Sequence, residues 1–366
     1  MDSSSIRDSI RTDIVEIRQI KRNQTLNSKR KALQELVSLG RHVKESEVLL
    51  VSNKLKTKSA VRVEDLILLK LAFVQSANNI VSFLKVKGAL HALVRELSSV
   101  KSNYQLVAAE CCCNLALGDS RSCLQVAKAA GPYLIALMSG SNYNLIHVSV
   151  WALANLVGSD EKVWEVLHSQ GFLNRLLQLV SENDIKSDVP ANSDIQQSSW
   201  TALIHLLHMG SKLLTEEETN SIAKVVTNLK YTPGENCHVV QYLLSCMDAA
   251  EEELMKSKIL IQCLQYLEET ELSDETITSY TPAVRTVANL AAESSGTCSL
   301  EIVANFSKIQ HAAQKIFMSP YKHLVNEVGW LLGNLVNHQS LEVQSALEEF
   351  SLDFQIFESQ IVFFST

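Results

Sequence analysis

Two tryptophan and asparagine pairs, Trp151 with Asn155 in VSVWALANLVG and Trp330 with Asn334 in NEVGWLLGNLV, stand four residues apart inside apolar runs. Side chains at i and i+4 of an α-helix share one face, so each pair presents an indole beside a carboxamide. A carboxamide can clamp both an N–H and a C=O of an extended peptide. An indole can lie along a lysine or arginine stem with its π-face toward the charge. The chemistry these residues offer is therefore the capture of a basic peptide, provided that helices hold them in one row.

The elements that would form such a row repeat along the chain. Glycine followed by an amphipathic stretch occurs at Gly88, Gly131 and Gly171, spaced 43 and 40 residues apart. A second element, ECCCNLALG with Asn114, returns 41 residues later as VWALANLVG with Asn155. It degrades to TALIHLL around His205, then reappears as PAVRTVANLAA with Asn289 and, 45 residues on, as GWLLGNLV with Asn334. Short polar stretches at 98–103, 139–144, 294–296 and 319–320 separate the elements, and no alternating strand pattern competes. Helices joined by tight turns at this period predict an all-α solenoid of the HEAT or armadillo kind, with six or seven repeats between about residues 60 and 350. The stretch SENDIKSDVPANSD (181–194) reads as a polar loop at a rim, and the repeat near Val239–Ala250 is poorly defined.

Composition limits what else the chain can be. Of its 366 residues 46% are hydrophobic and 20% charged, with 12 Gly and 5 Pro, which suits an ordered helical protein. No window of about 18 apolar residues appears, and MDSSSIRDSIR lacks the apolar core of a secretory signal, so the reading is a soluble intracellular protein without membrane partners. The overall charge of −7 is unevenly placed. Residues 1–60 carry 13 Lys/Arg against 7 Asp/Glu, net +6, leaving 20 against 33, net −13, for the rest. An acidic body disfavours nucleic acid and favours a basic peptide.

Catalytic and metal chemistry find no candidate. The eight cysteines lack a CxxC pair, and Cys111 to Cys113 diverge by about 100° per residue around a helix, so they read as reduced core residues. His205 and His208 share a face without a third ligand, and carboxylate runs such as Glu216–Glu218 and Glu251–Glu253 read as solvated helix ends. No phosphate loop, nucleophile elbow or HExxH string occurs. No cofactor is expected.

The W-A-L-x-N motif, the Gly-led element, TPAVRTVANL (281–290) and SPYKHLVNEVGWLLGNL (319–335) resemble the armadillo repeats of importin α, the adaptor of nuclear localisation signals. The stretch from Ile17 to Arg30 resembles its importin-β-binding helix through Arg18, Lys21, Arg22, Leu26, Lys29 and Arg30. The resemblance implies a right-handed armadillo superhelix over 46–350, preceded by a basic helical arm over 1–45 and followed by an atypical apolar tail over 351–366. It also implies a signal-peptide groove lined by Asn114, Trp151, Asn155, Arg285, Asn289, Trp330 and Asn334. Cargo peptides and importin β would be the partners of a monomer or heterodimer. Lys29-Arg30-Lys31 would fold back into the groove.

Departures from the pattern are equally visible. Glu110 replaces a tryptophan before Asn114, Thr201 and His205 stand where the fourth repeat needs its pair, and Trp200 is one residue out of register. Arg285 is open between a groove residue and a salt bridge between repeats. The chain ends about 30 residues after Asn334, where the family continues. This mixed state also resembles the transmembrane and coiled-coil domain-containing protein 6 group, divergent importin-α-like armadillo proteins. An armadillo scaffold without transport activity is the alternative reading.

Overall fold

A computed structural model describes residues 42–57, 61–185, 190–228 and 236–349. Among them every regular element is helical. They divide into two compact units, Met1–Gln170 and Gly171–Thr366.

The first unit contains α1 (Glu45–Leu55), α2 (Val63–Gln75), α3 (Ala77–Lys85), α4 (Ala89–Glu96), α5 (Ser102–Leu115), α6 (Ser120–Leu137), α7 (Tyr143–Val157) and α8 (Glu161–Ser169). Several starts are written in the local sequence. The side chains of Asp119, Asn142 and Asp160 accept hydrogen bonds from Ser122, Leu145 and Lys162 backbone N–H groups, satisfying donors that a helix leaves open. Helices α2, α5 and α7 pack side by side in that order, and α3, α4 and α6 close over their apolar sides. Phe73 of α2 meets Phe83 of α3 edge to face at 5.0 Å, among fully buried Leu69, Ile80 and Leu93.

The second unit contains α9 (Phe172–Ile185), α10 (Pro190–Gly210), α11 (Glu216–Thr227), α12 (Asn236–Ser245), a 3-10 turn (Asp248–Ala250), α13 (Glu251–Lys256), α14 (Ile259–Glu269), α15 (Ile277–Leu290), α16 (Thr297–Ala304), α17 (Phe306–Phe317), α18 (Lys322–Val336) and α19 (Leu341–Glu349). Thr215 and Glu218 form a reciprocal capping box at the start of α11. Here α10, α12, α15 and α18 form the side-by-side row. Tyr280 of α15 is fully buried and donates from its hydroxyl to the Leu267 carbonyl of α14 at 3.0 Å.

Two sequence expectations change. Gly88 and Gly171 do adopt the left-handed backbone (φ 85° each) ahead of α4 and α9, a conformation that favours glycine. Gly131 instead lies inside the continuous 18-residue α6, where the Gln170 carboxamide fills the space a Cβ would need. The expected loop at 181–194 is largely helix: 181–185 end α9 and 190–194 begin α10, with 186–189 outside the described residues. The ill-defined repeat near Val239 is real, with α12 as its row helix. Residues 1–41 of the arm expected over 1–45, and the tail expected over 351–366, lie outside the described residues.

Candidate functional site

The row helices place the predicted asparagines and tryptophans on successive rungs within each unit. In the first unit Asn114 on α5 donates from Nδ2 to the Lys70 carbonyl on α2 at 2.9 Å. One turn earlier on the same face Glu110 accepts from the Lys70 ammonium at 2.8 Å, each side chain 29% exposed. Lys70 is thus held at both its carbonyl and its ammonium by one i, i+4 pair. On α7, Asn155 Nδ2 lies 3.5 Å from Cys113 Sγ of α5, and only 4% of the residue is exposed. Sulfur is a weak acceptor. Trp151 is half-buried, with the His147 ring stacked 6.4 Å away on its own helix.

In the second unit Asn289 on α15 donates to Ser245 Oγ at 3.0 Å and to Cys246 Sγ at 3.4 Å. Asn334 on α18 donates to the Ala288 carbonyl at 2.7 Å. Arg285 bonds Glu327 of α18 through Nε at 2.8 Å and through a second guanidinium nitrogen, while its Cζ sits 5.5 Å from the Tyr242 ring centroid. Burial opposes the charged guanidinium, yet the Glu327 hydrogen bonds and charge, with help from Tyr242 and Cys246, outweigh it and raise the Arg285 pKa. Arg285 is therefore a permanent cation tied between repeats. Trp330 is 42% exposed, one turn before the half-buried Asn334.

The sequence reading missed several rung residues. Tyr242 and Cys246 occupy, 43 residues before Arg285 and Asn289, the two positions of the eroded repeat. Lys70 lies 40 residues before Glu110, and Glu327 lies 42 after Arg285. Writing the repeats in register and asking for opposite charges one period apart would have found both pairs. Thr201 accepts a 3.4 Å hydrogen bond from Asn236, and His205 is half-buried. Trp200, 3% exposed, is a core residue.

Among the described residues no group of three metal-ligating side chains gathers, and no helix is long and apolar enough to cross a membrane. Cys111, Cys112, Cys123, Cys237, Cys263 and Cys298 are buried, whereas Cys113 is half-buried and Cys246 is exposed, which corrects the expectation of eight core thiols. Burial pushes the Cys112, Cys263 and Cys298 thiols up to about 12, so they are poor nucleophiles at neutral pH. Arg18, Lys21, Arg22, Leu26, Lys29 and Arg30 lie outside the described residues.

No protein-family profile matches the sequence. Solved structures do resemble the fold. An engineered protein aligns with a TM-score of 0.64 at 18% identity, over 78% of this chain and 67% of that one. A designed armadillo repeat protein aligns at 0.54 and 15% identity, over 66% and 99% of the two chains. A computationally designed armadillo protein for modular peptide recognition aligns at 0.50 and 17% identity, over 65% and 99%. The fold is an all-α armadillo-repeat solenoid.

Proposed function

We propose that this protein is a peptide-binding armadillo adaptor that takes extended, lysine-rich segments of the nuclear localisation type and passes them, with itself, to importin β. The observation that carries the reading is the Trp330 and Asn334 rung: an indole 42% exposed, one helical turn from a half-buried carboxamide with a second N–H and a carbonyl left to offer. A lysine stem lying on that indole gains about 0.5–2 kcal/mol, and the carboxamide fixes the peptide backbone beside it. The body's net charge of −13 beyond residue 60 draws a basic ligand in. The basic spacing from Arg18 to Arg30 supports importin β as the second partner and movement between cytoplasm and nucleus as the setting.

Titration of a fluorescent lysine-rich signal peptide tests the first half. Asn334→Ala should weaken binding about tenfold, given a backbone clamp of one or two hydrogen bonds. Absence of binding, or indifference to this change, removes the peptide reading. Deleting residues 1–35 should abolish capture of importin β and increase peptide affinity. No change in either leaves the scaffold reading, which the two ion pairs spanning the rungs already favour.

A further inference from the structure

At α5 the rung that the repeat register reserves for a peptide is already in use. The Asn114 carboxamide holds a backbone carbonyl at 2.9 Å and the Glu110 carboxylate holds an ammonium at 2.8 Å, and both belong to Lys70. The ammonium contact is the one that a lysine of a bound peptide would take there, whereas Asn114, like Asn334, spends one N–H on the row helix before it and keeps the rest of its carboxamide. Lys70 therefore cancels the charge with which Glu110 would meet a peptide cation.

We infer that Lys70 is a built-in occupant of the Glu110 and Asn114 rung and thereby a specificity-determining residue. A peptide cation at this rung gains nothing until Lys70 leaves, so the first unit accepts an uncharged residue opposite Glu110 as readily as a lysine. The pair is reachable: each partner is 29% exposed, so exchange of one ammonium for another needs no opening of the core. The cost that an incoming lysine must meet is loss of a pre-formed, charge-assisted hydrogen bond, and the gain is one of the same kind. Exchange is close to neutral, which is why the occupant filters rather than blocks. This inference rests on the peptide-binding reading above.

Two lysine-rich peptides, differing only by Lys or Ala at the position facing Glu110, test it by fluorescence anisotropy at low salt. For the unmodified protein the two affinities should agree within about twofold. In Lys70→Met, which keeps the apolar stem, the lysine version should bind about 5- to 10-fold tighter than the alanine version, and Glu110→Gln added to it should remove that gain. A Lys70→Met protein that melts normally yet treats both peptides alike overturns the inference. In that case binding that still depends on Asn334 leaves the adaptor reading standing. Failure of every protein to bind either peptide overturns both.

Discussion

The tryptophan and asparagine pair of the first unit and that of the second share one spacing and differ in presentation. Trp151 is half-buried against His147, and Asn155 is 4% exposed with a sulfur for acceptor. Trp330 is 42% exposed and Asn334 half-buried, bonded to a backbone carbonyl. Each unit also carries an ion pair across neighbouring row helices where the register lacks an indole: Lys70 with Glu110, and Arg285 with Glu327. The pair in the second unit is the more enclosed, 19% exposed on each side against 29%. Where an aromatic rung is lost, charge now ties one repeat to the next.

The sharpest way to break that comparison is to remove one partner of each ion pair. Glu327→Ala strands a mostly buried guanidinium and should cost about 2–3 kcal/mol in urea unfolding, whereas Lys70→Met should cost about 0.5–1 kcal/mol. Equal costs would show that enclosure does not distinguish the pairs. Next in size are the indoles themselves. Trp151→Ala should destabilise by about 2 kcal/mol and Trp330→Ala by under about 1 kcal/mol, because less apolar surface leaves contact in the second case.

The second unit carries a pH effect near neutrality. Buried His238 packs against the tilted Tyr266 ring at 4.3 Å, and its Nδ1 lies 3.0 Å from Gln241 Oε1, which Cys263 also approaches. Burial lowers its pKa from 6.5, with the Gln241 hydrogen bond offsetting part of the shift. A histidine that resists protonation when folded binds more protons when unfolded. Its contribution is therefore fully present above pH 6.5 and is lost as pH falls toward the folded value. Melting temperature should drop between pH 7 and 5, and His238→Gln should flatten that drop. The smallest effect is kinetic: iodoacetamide should label exposed Cys246 first and half-buried Cys113 more slowly, leaving the six buried thiols untouched until unfolding.

Much of the fold was legible because repetition amplifies weak local signals. Asn114, Asn155, Asn289 and Asn334 recur at one helical position, and the structure places each on a row helix, donating to the row helix before it, within its own unit. The partners were harder to see. No local pattern links Lys70 to Glu110 or Arg285 to Glu327, since the contacts form only when helices one repeat apart lie side by side. Gly131 misled for a related reason. A glycine in register with Gly88 suggests the same turn, yet here its missing side chain makes room for Gln170 within an unbroken helix. Exposure was the least readable property: the sequence presents Trp151 and Trp330 as equals, and only neighbouring side chains separate them.

The central claim is that the exposed rung of the second unit receives the peptide while the first unit's rung is held by Lys70. Its most direct test is the affinity of one lysine-rich peptide for Trp330→Ala and Trp151→Ala, measured side by side. The expected result is a loss of about 5- to 20-fold for Trp330→Ala and less than about threefold for Trp151→Ala. The reverse order, or equal losses, would contradict it.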